Sequence, residues 1–309
     1  MNSNITVQST GGDVVFNAGD NVVITGGATV AAVVSDTGNV TFNSGVADSD
    51  NIGLQALDGT ITASAGTVTL NLNEEAGPAS QANTGTITAN ILRLLSIANG
   101  GGSFSLGTSA TNNASTLAAA SDGSIFYRDA DGLTVGTLGA TTGITTSDDD
   151  VKLIVDANDL DVDEEIALGT GNLFLDVTGN VTQQGGDDIT AGGLALMVDG
   201  TTRLDNAGNN VTNFAADNDD QTVYRDADTL NVESITVDGM TVTGISTTND
   251  DVTINVLAGN LNLLLAVNTR GGNLQATATA DITSSVAGTV TTTGTIANQD
   301  SGTVQLTGG

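Results

Sequence analysis

The chain has 309 residues, of which 39% are hydrophobic but only 3% aromatic, with 40 Gly, one Pro and no Cys, His or Trp. Its 36 acidic and 6 basic residues give a formal net charge of −30. These figures exclude disulfides, Ser-His-Asp or Cys-His catalysis and nitrogen- or sulfur-rich zinc sites. They also argue against nucleic-acid and anionic-membrane partners, both of which require Lys and Arg.

Two Tyr and six Phe cannot build a large aromatic core. The interior must then be many small aliphatic residues stacked alike, which suits a quasi-one-dimensional repeat fold. The acidity has two readings. Carboxylates can keep a long β surface soluble and discourage edge pairing, or they can ligate divalent cations.

In chain order, Met1-Asn2-Ser3-Asn4 has no basic n-region and no apolar h-region follows, so no signal peptide is visible. Short runs of Val, Ile, Leu and Thr then recur every eight to twelve residues, punctuated by Gly, Asn and Asp. The phrase appears as Gly38-Asn39-Val40-Thr41-Phe42, Gly59-Thr60-Ile61-Thr62, Gly66-Thr67-Val68-Thr69-Leu70 and Gly85-Thr86-Ile87-Thr88. It returns as Gly179-Asn180-Val181-Thr182, Gly288-Thr289-Val290-Thr291 and Gly302-Thr303-Val304-Gln305-Leu306. Alternation puts the aliphatic residues on one face and Thr on the other. The glycine is expected to supply a positive φ or a tight turn. The longest apolar runs, such as Leu263-Leu264-Leu265-Ala266-Val267, are strand-sized.

A longer period overlies this phrase. Tyr127-Arg128-Asp129-Ala130-Asp131 with Leu133 and Val135 returns as Tyr224-Arg225-Asp226-Ala227-Asp228 with Leu230 and Val232, an offset of 97. Ile87-Thr88-Ala89 returns as Ile189-Thr190-Ala191 at 102, and Gly143-Ile144 with Asp149-Asp150-Val151 as Gly244-Ile245 with Asp250-Asp251-Val252 at 101. Insertions between matched blocks belong in loops outside a solenoid. The expected fold is all-β, a right-handed parallel β-helix without substantial helix. It would have coils of roughly twenty-odd residues, about twelve to fifteen of them, in a rod on the order of 60–70 Å long. One continuous solenoid divides into irregular coils over 1–84, super-repeats over 85–186 and 187–288, and the start of a further repeat over 289–309. Because the last phrase stops without a polar cap, a longer parent chain is expected.

Gly179-Asn180-Val181-Thr182-Gln183-Gln184, Asp188 to Leu196, Asn206 to Val211 and Asp129 to Gly136 carry a family resemblance. This wording resembles the repeat region of filamentous-haemagglutinin-like adhesins, very long secreted surface proteins of bacteria, well over residues 85–309 and loosely over 1–84. The resemblance implies a right-handed parallel β-helix, export through an outer-membrane pore to the extracellular cell surface, and a role in attachment or biofilm. Its partners would be host or environmental glycans, other cell-surface components and adjacent repeats, with no nucleic acid and no membrane-embedded segment. No amino-terminal secretion domain of the family is recognisable in the chain.

Candidate chemistry is sparse. Asp159, Asp161 and Asp163 alternate with Leu160 and Val162, but the stretch fails as a calcium loop because Glu164 stands where Gly belongs and Thr170 where a bidentate Glu belongs. Alternating outward Asp on a strand explains it equally. The Tyr-Arg-Asp-Ala-Asp block reads either as a recurrent glycan contact or as a corner where Arg128 and Arg225 pair with adjacent Asp and Tyr packs over the coil below. Paired carboxylates could still serve a polysaccharide-cleaving enzyme, yet the aromatic and basic groove residues are nearly missing. Stacked Thr could form an ice- or surface-binding ladder, or simply reflect β-propensity. The reading is a non-enzymatic stalk segment of an adhesin. No catalytic, cofactor-binding or metal-ligating residue is assigned, and no cofactor is expected.

Overall fold

The computed structural model describes residues 6–9, 12–32, 38–46, 54–73, 78–81, 84–96, 102–292 and 303–308. Among them there is no helix. Parallel strands stack coil upon coil as a β-solenoid of about ten turns, and the two antiparallel pairs are small hairpins. Contacts group the chain into two compact units, Met1–Ala157 and Asn158–Gly309.

Each unit is held by in-register rows of aliphatic residues. In the first, Val14, Val40, Val68, Leu92 and Leu117 pair in succession. Beside them run Phe42, Leu70, Leu94, Ala119 and Ile144. All of these are buried. The residues between them point outward, giving the row Val15, Thr41, Thr69, Arg93 and Ala118. In the second unit Leu175, Leu196, Ala216, Ile245, Val267 and Val290 form one row, and Leu160, Val181, Thr202, Thr222, Val252, Leu274 and Val304 another. Val181, Ile189, Leu194, Leu196, Val211 and Leu230, read from the sequence as inward ladders, are all fully buried. Each such side chain contributes about 1.5–3 kcal/mol by leaving water. Val304 and Leu306 alternate as expected but remain about half exposed, at 46% and 47%.

Two expectations are corrected. Coil-to-coil steps are uneven: 24 to 28 residues along the Val14 row and 20 to 30 along the Leu160 row. Longer coils leave about ten turns rather than about twelve to fifteen. The glycine of the repeated phrase is also not there for a positive φ, since Gly59, Gly66, Gly85 and Gly179 all lack one. At Gly179 a Cβ would run into the carbonyl of Asn158 in the coil beneath, and at Gly66 into that of Gly38. Close approach of stacked backbones sets the requirement.

The changing offset of the super-repeat has a structural cause. The pairs Thr137–Leu138 with Thr141–Thr142, and Ser234–Val237 with Met240–Thr243, are equivalent hairpins leaving the solenoid at the same place. Each base is closed by one backbone bond, Gly143 N–H to Gly136 O at 2.9 Å and Gly244 N–H to Glu233 O at 3.1 Å. The second hairpin is four residues longer, which turns the offset of 97 before it into 101 after it. Its Asp238-Gly239 turn has φ of 47° and 77°, the left-handed pair of a type I′ turn. Ile235, Val237 and Val242 of this hairpin are buried, and it lies over the outward row Phe174, Ala195 and Ala215, which it buries as well. Gly193 leaves room for the Ile235 side chain.

Ile189 is fully buried and pairs with Ile166. Ile189→Asp is expected to remove about 4 kcal/mol or more, through an unpaired charge in an apolar row. Denaturant unfolding followed by circular dichroism measures this, and an unchanged midpoint would refute the inward assignment.

Candidate functional site

The repeated Tyr-Arg-Asp block closes a strand: Tyr127, Arg128 and Asp129 pair with Leu153, Ile154 and Val155 of the next coil, and Tyr224, Arg225 and Asp226 with Ile254, Asn255 and Val256, just before the chain turns a corner. Tyr127 and Asp129 are fully buried. The Tyr127 hydroxyl donates to Asp129 Oδ2 at 2.5 Å, the same oxygen accepts Ala114 N–H at 2.8 Å, and Oδ1 accepts Asp131 N–H at 2.9 Å. The second copy repeats this atom for atom. Asp226 Oδ2 accepts Tyr224 O–H at 2.8 Å and Val211 N–H at 3.0 Å, and Oδ1 accepts Asp228 N–H at 3.0 Å. Tyr224 also stacks on Phe214 with centroids 4.5 Å apart. Tyr127 packs in register between Leu106 and Leu153, and Tyr224 between Leu204 and Ile254. Neither tyrosine is available as a stacking platform for a ligand.

Beside this corner lies a second repeated group that the sequence reading did not single out. Gln81 and Asn112 form a reciprocal amide pair, Nε2 to Oδ1 and Nδ2 to Oε1, both 2.8 Å. Asn112 Oδ1 also accepts Ile87 N–H at 2.9 Å, and its Nδ2 donates to Leu106 O at 3.2 Å. Gln183 and Asn209 reproduce the set, at 2.6 and 3.0 Å, with Ile189 N–H and Leu204 O as the backbone partners. Asn112 and Asn209 are 97 residues apart, the offset of the tyrosine block. Comparing Asn112-Asn113 with Asn209-Asn210 at that offset was the signal available.

Burial pushes the Asp129 and Asp226 carboxyls above the ordinary aspartate range, although their hydrogen bonds pull the other way. Burial likewise drives Tyr127 and Tyr224 well above the usual phenol value, with the neighbouring carboxylate adding to the effect. Asp149, Asp187 and Asp250 are also raised, first by burial and then by clusters of neighbouring acids. Those acids do not converge: among the described residues no group of three or more is placed to hold a metal ion.

Arg128 forms a fork on Asp156 one coil later, Nε to Oδ2 at 2.7 Å and Nη2 to Oδ1 at 2.9 Å. In the second copy Leu257 occupies the place of Asp156, and Arg225 Nε is buried without a hydrogen-bond partner. The acidic run is a corner ladder. Asp159 Oδ1 accepts Asn180 N–H and Nδ2, at 2.7 and 3.0 Å, while Asp161 accepts the Thr182 hydroxyl at 2.5 Å. Leu160 and Val162 point inward as read. Thr6, Thr29, Thr60 and Thr86 do stack in register, but the parallel row holds Thr only at Thr62 and Thr88, with Ala31 and Gln8 completing it.

One concavity on the outer face of the first unit is built differently. A groove of about 310 Å³ is floored by Thr41, Thr69 and Arg93, rimmed by Asp13 and Asn39, and walled by Leu138 and Gly139 of the short hairpin. Arg93 Nε is buried there without a hydrogen-bond partner. Asp13 Oδ1 is occupied by Asn39 N–H and Nδ2, at 2.8 and 3.1 Å, and Asn39 Oδ1 by Thr67 N–H at 2.9 Å.

No family model, curated protein or solved structure matches the chain.

Asp129→Ala leaves the buried Ala114 N–H and the buried Tyr127 phenol unpaired and removes the acceptor of the Asp131 N–H, and is expected to cost about 3 kcal/mol. Arg203→Ala removes an exposed pair with Asp205 and should change stability by no more than about 0.5 kcal/mol. Equal losses in the two variants by urea unfolding would contradict the buried-corner account. The raised carboxyls also set a pH dependence. The folded chain takes up protons before the unfolded one does, so stability grows as pH falls toward the unfolded aspartate value and declines as pH rises through the folded one. The melting temperature should therefore be higher near pH 5 than near pH 7, at about constant salt; a lower value on the acid side would contradict it.

Proposed function

We propose that the chain is a non-catalytic stalk segment of a secreted bacterial surface adhesin, supporting attachment or biofilm formation through repeated weak contacts. The observation that carries this reading is the contrast between inside and outside across the super-repeat. The buried frame of Gln81, Asn112, Tyr127 and Asp129 recurs bond for bond in Gln183, Asn209, Tyr224 and Asp226. The outer positions diverge: Asp156 against Leu257, Arg93 against Ala195, and a short hairpin against a longer one. A scaffold that repeats its frame while varying its outside suits multivalent contact, in which linked weak sites gain avidity. A dense negative surface keeps neighbouring copies apart on a crowded cell face. The repeat phrasing shared with filamentous-haemagglutinin-like adhesins supports the same assignment, with an extracellular location and with glycans or other surface components as partners.

Display of the chain on a non-adherent bacterium, fused to a neutral surface anchor, tests the role. Attachment to glycan-coated and epithelial surfaces should rise by roughly tenfold or more over the anchor alone, and purified chain in solution should compete it away. Attachment equal to that of the anchor alone would overturn the proposal. Release of reducing sugar from polysaccharides by the purified chain would replace it with the enzymatic alternative.

A further inference from the structure

We propose that the groove at Arg93 is a binding site for an acidic saccharide, with Arg93 receiving the carboxylate of a uronic acid. The site stands independent of the attachment role and follows from three features that meet in the first unit.

The first is an arginine without a partner. Arg93 projects outward from the strand Thr86–Ser96, between Thr69 and Ala118 of the adjoining coils. Its Nε is buried and makes no hydrogen bond, and among the described residues it forms no ion pair. A guanidinium Nε removed from water without an acceptor is costly, so the group is poised for an external acceptor. Arg128 shows what fills the same fork elsewhere in this chain: the carboxylate of Asp156, bound through Nε and Nη2 at 2.7 and 2.9 Å. Planar two-point recognition of that kind is specific to carboxylate and similar oxyanions.

The second feature is the lining. Thr41, Thr67 and Thr69 line the groove, and none of their hydroxyls has a hydrogen-bond partner among the described residues. Asp13 Oδ2 is likewise uncommitted, because its Oδ1 takes both bonds from Asn39. Hydroxyl donors and acceptors beside one carboxylate acceptor complement the hydroxyls of a sugar ring, and Leu138 offers an apolar wall for the ring face. About 310 Å³ lies at the small end of ligand sites and suits one or two rings.

The third is the hairpin. In the second unit the position equivalent to Arg93 is Ala195, and the longer hairpin Ser234–Val237 and Met240–Thr243 lies over it. The four residues absent from the first hairpin are what leave the groove open. An outer patch closed by apolar packing in one copy is open, polar and cationic in the other. The net charge of −30 opposes acidic ligands at long range, but that field is screened beyond about 8 Å at physiological salt, and the fork acts at contact.

The test is a titration of isotopically labelled full chain with sodium galacturonate, galactose and acetate at about 0.15 M salt, following the Arg93 Nε–H and the backbone amides of Thr41 and Thr69 by NMR. Galacturonate should give saturable shifts at these positions, with galactose and acetate each weaker by roughly tenfold or more. Arg93→Gln and Arg93→Lys should each lose roughly tenfold while the remaining amide spectrum stays in place. Grafting Ser234–Thr243 in place of Thr137–Thr142 should abolish binding by covering the groove. Absence of saturable shifts with galacturonate overturns the site, as does binding by Arg93→Gln within about twofold of the unsubstituted chain. Acetate binding as tightly as galacturonate overturns the saccharide assignment.

Discussion

Stacked coils depend on what happens to the backbone where it turns. Along a straight segment each N–H and C=O is met by the coil above or below, but at a corner the chain leaves the ladder and its polar groups enter a space closed to water. A buried donor left there costs about 1–3 kcal/mol, enough over several coils to cancel the stability of a domain. Asn112 and Asn209 solve this by accepting a backbone N–H and donating to a backbone carbonyl from one amide. Asp129 and Asp226 do so by accepting two N–H groups and a phenol. Glutamine and tyrosine complete the partners, so that no member of the group is left half satisfied.

That requirement explains why the super-repeat is conserved within the chain where it is. An aliphatic row tolerates exchange among Val, Leu, Ile and Phe, as in Leu173, Leu194 and Phe214, because volume and apolarity are all it needs. A corner amide tolerates none, since each atom has an assigned donor or acceptor. The two copies have therefore drifted along the strands and held at the corners. On the outside the constraint vanishes, and there the copies differ in charge, in hairpin length and in concavity. Arg128 keeps a carboxylate in reach, Arg225 has Leu257 at the position equivalent to Asp156, and Arg93 stands in an open groove where its counterpart is a covered alanine.

The sequence showed strand and coil well because their periods are local. Aliphatic residues at alternate positions can face only one side of a strand, so Val40 and Phe42, or Leu194 and Leu196, were readable as inward without knowledge of any partner. The repeat of the tyrosine block marked a structural corner, and Tyr packing against neighbouring coils was part of that reading. The fork of Arg128 on Asp156 was not legible, because it crosses one coil and 28 residues of sequence. The reciprocal pairs Gln81–Asn112 and Gln183–Asn209 were missed because their members lie 31 and 26 residues apart, beyond any local pattern. The glycine of the repeated phrase carried the right residue for the wrong reason, since close stacking and a left-handed turn demand the same absence of Cβ.

By itself the sequence determined the fold class, the alternation of inward and outward residues, the existence of a hundred-residue period and the lack of residues for His- or Cys-based chemistry. These follow from composition and from periodicities no longer than a strand, or from direct comparison of the chain with itself. Only the tertiary structure decided the coil lengths, the corner hydrogen bonds, the role of the hairpins and the outer groove at Arg93. Those depend on which residues twenty to thirty positions apart are brought to the same height in neighbouring coils. Loop lengths accumulate into that register, and no local signal in the chain records it.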